Sequence, residues 1–219
     1  AISIALLPTI SELFAANKIS EFTKTINSAV KVMLALTIPS ACLLITGIQP
    51  IIATVFHFDQ AGTALVTSVT RVYLVGLMGH ALLEIGSRSF YAQQNAKIPL
   101  LAAAINALLY IFLAPLFSRF FGVAGIALAN IIVFTSEALL LFWILGRKYP
   151  GIFSIRSTVL RITVSSVIVG SMVYGMIRVV NLSPFIISVA GMGLGLVVLI
   201  PFILPEIKIL LQLGKDTPV

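Results

Sequence analysis

The stretch that decides the fold is Arg88-Ser-Phe-Tyr-Ala-Gln-Gln-Asn-Ala-Lys-Ile-Pro99, a short polar segment between two long apolar runs. It brings together two cations, three amides and a tyrosine. The apolar runs on either side lie near residues 66–86 and 98–117, and each approaches the roughly 20 residues that a helix needs to cross a bilayer. The segment is therefore predicted to be a compact loop at a membrane surface.

The composition of the 219-residue chain indicates that its solvent is lipid. Hydrophobic residues make up 59% of the chain and charged residues 10%. A water-soluble domain could not cover its surface with so few charges. The net charge of +7 would suggest a nucleic-acid partner for a soluble protein. In a membrane protein the informative quantity is the side of the membrane on which the cations lie. We therefore expect no nucleic-acid partner.

Six apolar runs are long enough to span a membrane, and they predict an all-α integral membrane fold. Near-continuous apolarity, rather than alternation, favours helices over the strands of a barrel. The connections at 118–121 and 181–183 are so short that their neighbours are predicted to be antiparallel hairpins. The runs lie near residues 32–56, 66–86, 98–117, 122–145, 158–180 and 184–204.

The first residues of the chain, 1–8, are apolar and too few for a signal peptide, and no basic region precedes them. We interpret them as the end of a helix that begins further upstream, and the chain as a fragment. Residues 9–28 are amphipathic, and Thr9-Ile-Ser-Glu12 fits a capping box at the start of a helix. This pattern predicts an amphipathic helix that lies on the membrane surface.

The cations predict the orientation of the six spans. Eleven of the fourteen lysines and arginines fall on one side of the predicted arrangement. Because positive residues accumulate on the cytoplasmic side, the Arg88–Pro99 segment and both ends of the chain are predicted to be cytoplasmic. The eleven lie within 9–31, 87–97, 146–161 and 205–219, and the other three are Arg71, Arg119 and Arg178.

Polar residues inside the predicted spans are candidate functional residues, because burying them in lipid is costly. His80, Glu84 and Arg88 follow one another at a spacing of four, which places them on one face of a helix. One interpretation is a polar strip that binds a head group or a coupling proton. The other is a Glu84–Arg88 ion pair near the interface, with His80 hydrogen-bonded to a neighbouring helix.

Three further polar residues lie deep in predicted spans. Glu137 is either a protonatable carboxylate with a functional role or a neutral or paired glutamate that joins helices. Asn106 and Asn130 either line a cavity or form hydrogen bonds between helices. His57 and His80 are far apart, so no metal or cofactor site is predicted. No Ser-His-Asp arrangement is recognisable, and we do not expect an enzyme.

Several short motifs occur in a defined order along nearly the whole chain. They are Pro8-Thr-Ile-Ser11, Ile38-Pro-Ser40, Gln49-Pro-Ile51, Gly76-Leu77, Arg88-Ser-Phe-Tyr-Ala92 and Lys97-Ile-Pro99. In this order the sequence resembles the MurJ/MviN lipid II flippase family, which belongs to the superfamily of multidrug, oligosaccharidyl-lipid and polysaccharide exporters. The most specific part of the resemblance is the last pair of motifs.

The resemblance implies a fourteen-helix transporter, to which this chain contributes the end of helix 8 and the six helices that follow. Residues 1–145 would belong to the C-terminal six-helix lobe, and residues 146–219 would form two additional helices with a groove for a lipid tail. The implied location is the bacterial inner membrane. The implied partners are lipid II, membrane lipids and the N-terminal lobe of the same protein.

The implied function is the flipping of lipid II by alternating access, with the polar head in a cavity and the polyprenyl tail in lipid. Alternatives are a polysaccharide-lipid or multidrug exporter of the same superfamily, or a membrane scaffold of cell-wall synthesis. Cations that face the cavity could bind the diphosphate through charge-assisted hydrogen bonds. The candidate residues for binding or gating are Arg88, Tyr91, Gln94, Lys97, His80, Glu84, Glu137, Asn106 and Asn130.

Overall fold

The computed structural model describes residues 2–150, 155–179 and 183–215, and these residues form seven α-helices. The last six helices are each long and apolar enough to cross a membrane, as the sequence predicted. The prediction of an all-helical fold is also confirmed. The helices are α1 (Ile2–Ala15), α2 (Ile19–Phe56), α3 (Gln60–Ala92), α4 (Lys97–Phe121), α5 (Val123–Lys148), α6 (Arg156–Val179) and α7 (Pro184–Lys215).

The polar segment at Arg88–Pro99 is not the loop that was predicted. Its first five residues form the end of α3, its last three begin α4, and the turn between the helices takes only residues 93–96. The helix continues past the apolar run because Ser89 and Phe90 are fully buried against the rest of the protein. It ends where Gln94 adopts a left-handed conformation with φ of 56°.

The predicted surface helix over residues 9–28 is also wrong. Helix α1 passes through Thr9 without interruption, so the capping-box pattern does not mark the start of a helix. The chain turns at residues 16–18, and the remainder of the segment is the beginning of α2. Phe22 and Ile26 are fully buried. The apolar face of this segment therefore packs inside the protein instead of on the membrane surface.

The hairpin predicted between the third and fourth spans is present, with a shorter connection than expected. Residues 118–121 belong to α4, and Gly122 alone joins α4 to α5. Gly122 has φ of 59° and ψ of −139°, a conformation that residues with a side chain rarely adopt. The second predicted hairpin connection, at 181–183, falls largely on residues 180–182, which lie outside the described residues.

The helices pack in a defined order that leaves an open space between α3 and α4 on one side of the bundle. Helix α5 lies between α3 and α4, and α2 lies between α3 and the α6–α7 pair. A Cβ atom at Gly76 would overlap Ile131, and one at Gly79 would overlap Thr135, so α3 and α5 approach each other closely. Helices α3 and α4 scarcely touch. The space between them, with α5 as its floor, holds the candidate site.

Candidate functional site: a polar cavity between three helices

A cavity of about 580 Å³ lies between α3, α4 and α5. Its lining mixes apolar side chains with ionisable groups, amides and phenols, which is unusual inside membrane-spanning helices. Six of the nine candidate residues from the sequence line it, although they come from three different helices. The six are Glu84, Arg88, Tyr91, Asn106, Asn130 and Glu137.

The α3 wall of the cavity contains an ion pair within one helix. Arg88 Nε donates a hydrogen bond to Glu84 Oε1 at 2.8 Å, and Arg88 Nη2 also contacts this oxygen. The Arg88 side chain is one-fifth exposed, so its guanidinium is held in the wall and does not extend freely into solvent. The two interpretations of these residues are therefore compatible in geometry, because the pair is formed and both of its members line the cavity.

A second polar contact joins α3 to α5 beside the cavity. His80 Nε2 lies 3.3 Å from Asn130 Oδ1, within hydrogen-bonding distance. The His80 ring also packs on Phe134, with 4.5 Å between the ring centroids. Asn130 lines the cavity, whereas His80 lies behind it. This is the hydrogen bond to a neighbouring helix that was one of the two interpretations of His80.

A third polar contact joins α4 to α5. Asn106 Nδ2 donates a hydrogen bond to Glu137 Oε2. Both residues are buried, with 7% of each exposed, and both line the cavity. Asn106 thus fits both of its interpretations, because it lines a cavity and joins two helices. For Glu137 the structure shows the pairing between helices, and a functional role of its carboxyl group stays a prediction.

Gln94 and Lys97 lie outside the polar cavity. Gln94 lines a separate space of about 590 Å³ between the end of α3 and α1, together with Ser11 and Glu12. Tyr91 lines both spaces. Lys97 begins α4 and is exposed, and it lines neither of them. The structure thus separates the two cations of the original polar segment, with Arg88 in the cavity wall and Lys97 outside it.

The contact that fixes the turn after α3 could not be predicted from the sequence. Lys148 Nζ donates to Gln93 Oε1 at 2.5 Å, and the Tyr149 hydroxyl donates to the same oxygen at 3.1 Å. Gln93 Nε2 donates in turn to the carbonyl of Ser89 at 2.8 Å. These contacts tie the turn to the end of α5. No spacing in the sequence could have indicated a pair 55 residues apart.

An ion pair between α6 and α7 was not among the predicted contacts. Arg161 Nη2 lies 2.5 Å from Glu206 Oε1, and the Glu206 side chain is almost completely buried. Both residues occur near the ends of otherwise aliphatic runs, where a charge normally lies in water. The sequence feature that could have indicated this pair is the opposite charge of the two residues, which occur at helix ends on the same predicted side of the membrane.

Comparison with known proteins yields one family repeatedly. The profile of the family described as lipid II flippase MurJ matches residues 1–193. A Bdellovibrio bacteriovorus protein named probable lipid II flippase MurJ is 27% identical over 92% of this chain and 38% of its own length. A Burkholderia cenocepacia protein named lipid II flippase MurJ is 31% identical over 70% of this chain and 30% of its own length.

A solved structure gives the same result. The protein described as lipid II flippase MurJ, inward closed conformation, superimposes with a TM-score of 0.77 and 28% sequence identity. The match covers 92% of this chain and 41% of the solved chain. The chain therefore spans well under half the length of each of these proteins, and the similarity extends through nearly all of it.

Proposed function

The chain belongs to the MurJ lipid II flippase family, and from this premise we propose that it is the C-terminal portion of a protein that flips lipid II across the bacterial inner membrane. The observation that carries the proposal is the match of residues 1–193 to the family. It agrees with the resemblance seen in the motifs. In this proposal the protein is a transporter and performs no covalent chemistry.

The polar cavity contacts part of the head group of the substrate. Lipid II carries a diphosphate and a sugar-peptide head on a polyprenyl tail. A volume of about 580 Å³ is that of a small-molecule site and is too small for the whole head. Arg88 is the cation in its lining. A guanidinium has five N–H groups, so Arg88 can bind Glu84 and still donate charge-assisted hydrogen bonds to a phosphate oxygen.

The three polar contacts give this cavity a fixed shape within the membrane. Interhelical hydrogen bonds of the kind formed by His80 with Asn130 and by Asn106 with Glu137 hold membrane helices together. Transport then proceeds by alternating access, in which this lobe rocks against the N-terminal lobe around the bound head. Residues 146–219 supply the groove for the polyprenyl tail.

The cavity wall at Arg88 faces the cytoplasmic side in this proposal, and both ends of the chain are cytoplasmic. The support comes from the eleven cations that share one side of the six spans. The substrate is made in the cytoplasm, so a cation on that side is positioned to receive it.

Complementation tests the proposal. The lipid II flippase of a host is depleted while the full-length protein is expressed, and growth and the exposure of lipid II on the outer face are measured. We expect both to be restored. Failure of the wild-type protein, at a normal level in the membrane, would contradict the proposed activity.

The same assay tests the cavity. Arg88→Gln should lower the rate of lipid II exposure by about tenfold or more, because a hydrogen bond to a charged group contributes roughly 1.5–3 kcal/mol. Lys97→Gln is the matched control, since it removes the same charge from the same segment but outside the cavity. Equal loss of activity in the two variants would show that the charge acts on topology and not through the cavity.

A further inference from the structure

The end of α5 lies where three other helices meet. Lys148 is the last residue of α5, and its Nζ lies 2.5 Å from Oε1 of Gln93, the first residue after α3. The same Nζ lies 5.9 Å from the centroid of the Phe14 ring in α1. Tyr149 packs edge-on against Phe22 of α2, with 5.6 Å between the ring centroids. We call these five residues the Lys148 clasp, and none of them belongs to α4.

Three kinds of contact hold the ammonium group of Lys148. The first is the hydrogen bond to the amide oxygen of Gln93. The second is with the rings of Phe14 and Tyr149, which lie within the roughly 6 Å over which a cation is attracted to an aromatic face. The third is with the last turn of α3, where the carbonyl groups carry a partial negative charge. These contacts order a side chain that is otherwise exposed.

Gln93 extends this anchoring to the wall of the polar cavity. Its Nε2 donates to the carbonyl of Ser89 at 2.8 Å, and Ser89 is fully buried and directly follows Arg88. Helices α3 and α4 scarcely touch, so α4 does not hold the end of α3. The ion pair of Arg88 with Glu84 lies within α3 and cannot fix the position of this end relative to α5. The Lys148 clasp can do so.

We propose that Lys148 is a positioning residue for the polar cavity: through Gln93 it holds the last turn of α3 so that Arg88 contacts the head group of the substrate. Lys148 does not line the cavity, so it acts through α3 and not by touching the substrate. The inference rests on the proposed function, because it assigns Lys148 a part in binding by the same cavity.

The lipid II exposure assay tests whether Lys148 acts through Gln93. Lys148→Met keeps most of the length of the side chain but removes its charge and its N–H donors. It should lower the rate of exposure roughly tenfold, the loss expected when a hydrogen bond of a charged group is removed. Gln93→Leu should have the same effect, and the double variant should be no slower than either single variant. Lys148→Arg should retain activity, because it can still donate to Gln93.

The neighbouring cation supplies a matched control. Arg147 directly precedes Lys148, but its guanidinium carbon lies 3.9 Å from the centroid of the Trp143 ring, outside the clasp. Arg147→Met should therefore change the rate by no more than about twofold, as is usual for an exposed substitution. The proposal is overturned if Arg147→Met and Lys148→Met are equally slow, if the losses in the double variant are additive, or if Lys148→Arg is as slow as Lys148→Met.

A distance measurement tests the clasp without transport. In the full-length protein with its native cysteines replaced by serine, spin labels at Ala16→Cys and Ala96→Cys report the separation between the end of α1 and the turn after α3. Both positions are exposed. We expect double electron–electron resonance to give a narrow distribution of distances with Lys148 present and also in Arg147→Met, and a broader one in Lys148→Met. An unchanged distribution in Lys148→Met would overturn the proposal.

The two assays also separate this inference from the proposed function. Failure of the wild-type protein to expose lipid II would contradict the proposed function. The distances between the spin labels do not depend on flipping, so they would still show whether Lys148 holds the end of α3.

Discussion

Glu137 carries an ionisable group into the middle of a membrane-spanning helix. Insertion scales assign a cost of roughly 2.5–3.5 kcal/mol to a charged residue at this depth. The amide of Asn106 offsets part of that cost by donating to Glu137 Oε2, and both side chains are removed from lipid by the helices around them. The pair therefore contributes to the contact between α4 and α5 as well as to the cavity lining.

A double-mutant cycle measures this contribution. We expect Asn106→Ala and Glu137→Ala to show a coupling energy in the free energy of unfolding of about 0.6 kcal/mol, the average for hydrogen bonds between membrane helices, and at most about 1.7 kcal/mol. Ser136 is the control, because it adjoins Glu137 but its hydroxyl donates to Val133 of its own helix. The cycle of Asn106→Ala with Ser136→Ala should give no coupling. Additive effects in both cycles would contradict the role of the Asn106–Glu137 bond.

At the scale of elements, the contact between α3 and α5 depends on glycines. Gly76 and Gly79 are buried in α3, and each lies directly beneath a side chain of α5. Small residues allow membrane helices to approach closely, and close approach strengthens dispersion and polar contacts between them. His80, which forms the hydrogen bond with Asn130, directly follows Gly79 in the sequence. Close packing at this point therefore sets the distance between two walls of the cavity.

Replacing Gly76 by leucine tests this contact. The new side chain would overlap Ile131, and we expect a loss of about 1–3 kcal/mol in the free energy of unfolding, as is typical of overpacking. Gly175→Leu is the control, because a Cβ atom at Gly175 meets nothing within 4 Å. Both substitutions change intrinsic helix propensity equally, so their difference isolates the packing. Similar stabilities of the two variants would show that α3 and α5 tolerate separation.

The helices and the hairpin of α4 with α5 could be predicted from the sequence, but the ends of the helices and their other pairings could not. Each span is a long apolar run, because a helix surrounded by lipid must be apolar along its length. Such a run can be recognised in the sequence. The turns of α3 that contain Arg88 and Tyr91 are polar, so the apolar signal stops before the helix does. The polarity of Asn106 and Glu137 identified them as candidates, but their contact depends on how α4 rotates against α5. The bond of Gln93 to Lys148 depends on tertiary packing in the same way.

At the scale of the whole molecule, the distribution of charge predicts which side of the membrane each connection occupies. The turn at 93–96 and the connection from α5 to α6 lie on the predicted cytoplasmic side. The connection between α2 and α3 lies on the other side, where the Asp59 side chain accepts a hydrogen bond from the backbone of Gly62 at 2.8 Å. This arrangement would place the polar cavity wall at Arg88 nearer the cytoplasm.

Labelling of single cysteines tests this orientation. In the full-length protein with Cys42→Ser and every cysteine outside this chain also replaced by serine, Ala96→Cys and Gln60→Cys each place one thiol at an exposed position, and the two positions lie on opposite sides of the bundle. A membrane-impermeant maleimide applied to intact spheroplasts should label Gln60→Cys at once. It should label Ala96→Cys after the membrane is permeabilised. The reverse pattern would invert the assigned topology.

The single residue between α4 and α5 has a consequence for biogenesis. With Gly122 as the complete connection, neither helix can settle in the bilayer unless the other lies beside it. We therefore expect the pair to leave the translocon together. The bond between Asn106 and Glu137 joins the two arms of this hairpin, so it can form before α6 and α7 have been synthesised. A carboxyl group that would hinder the insertion of α5 alone is thus delivered to the membrane with its partner already in place.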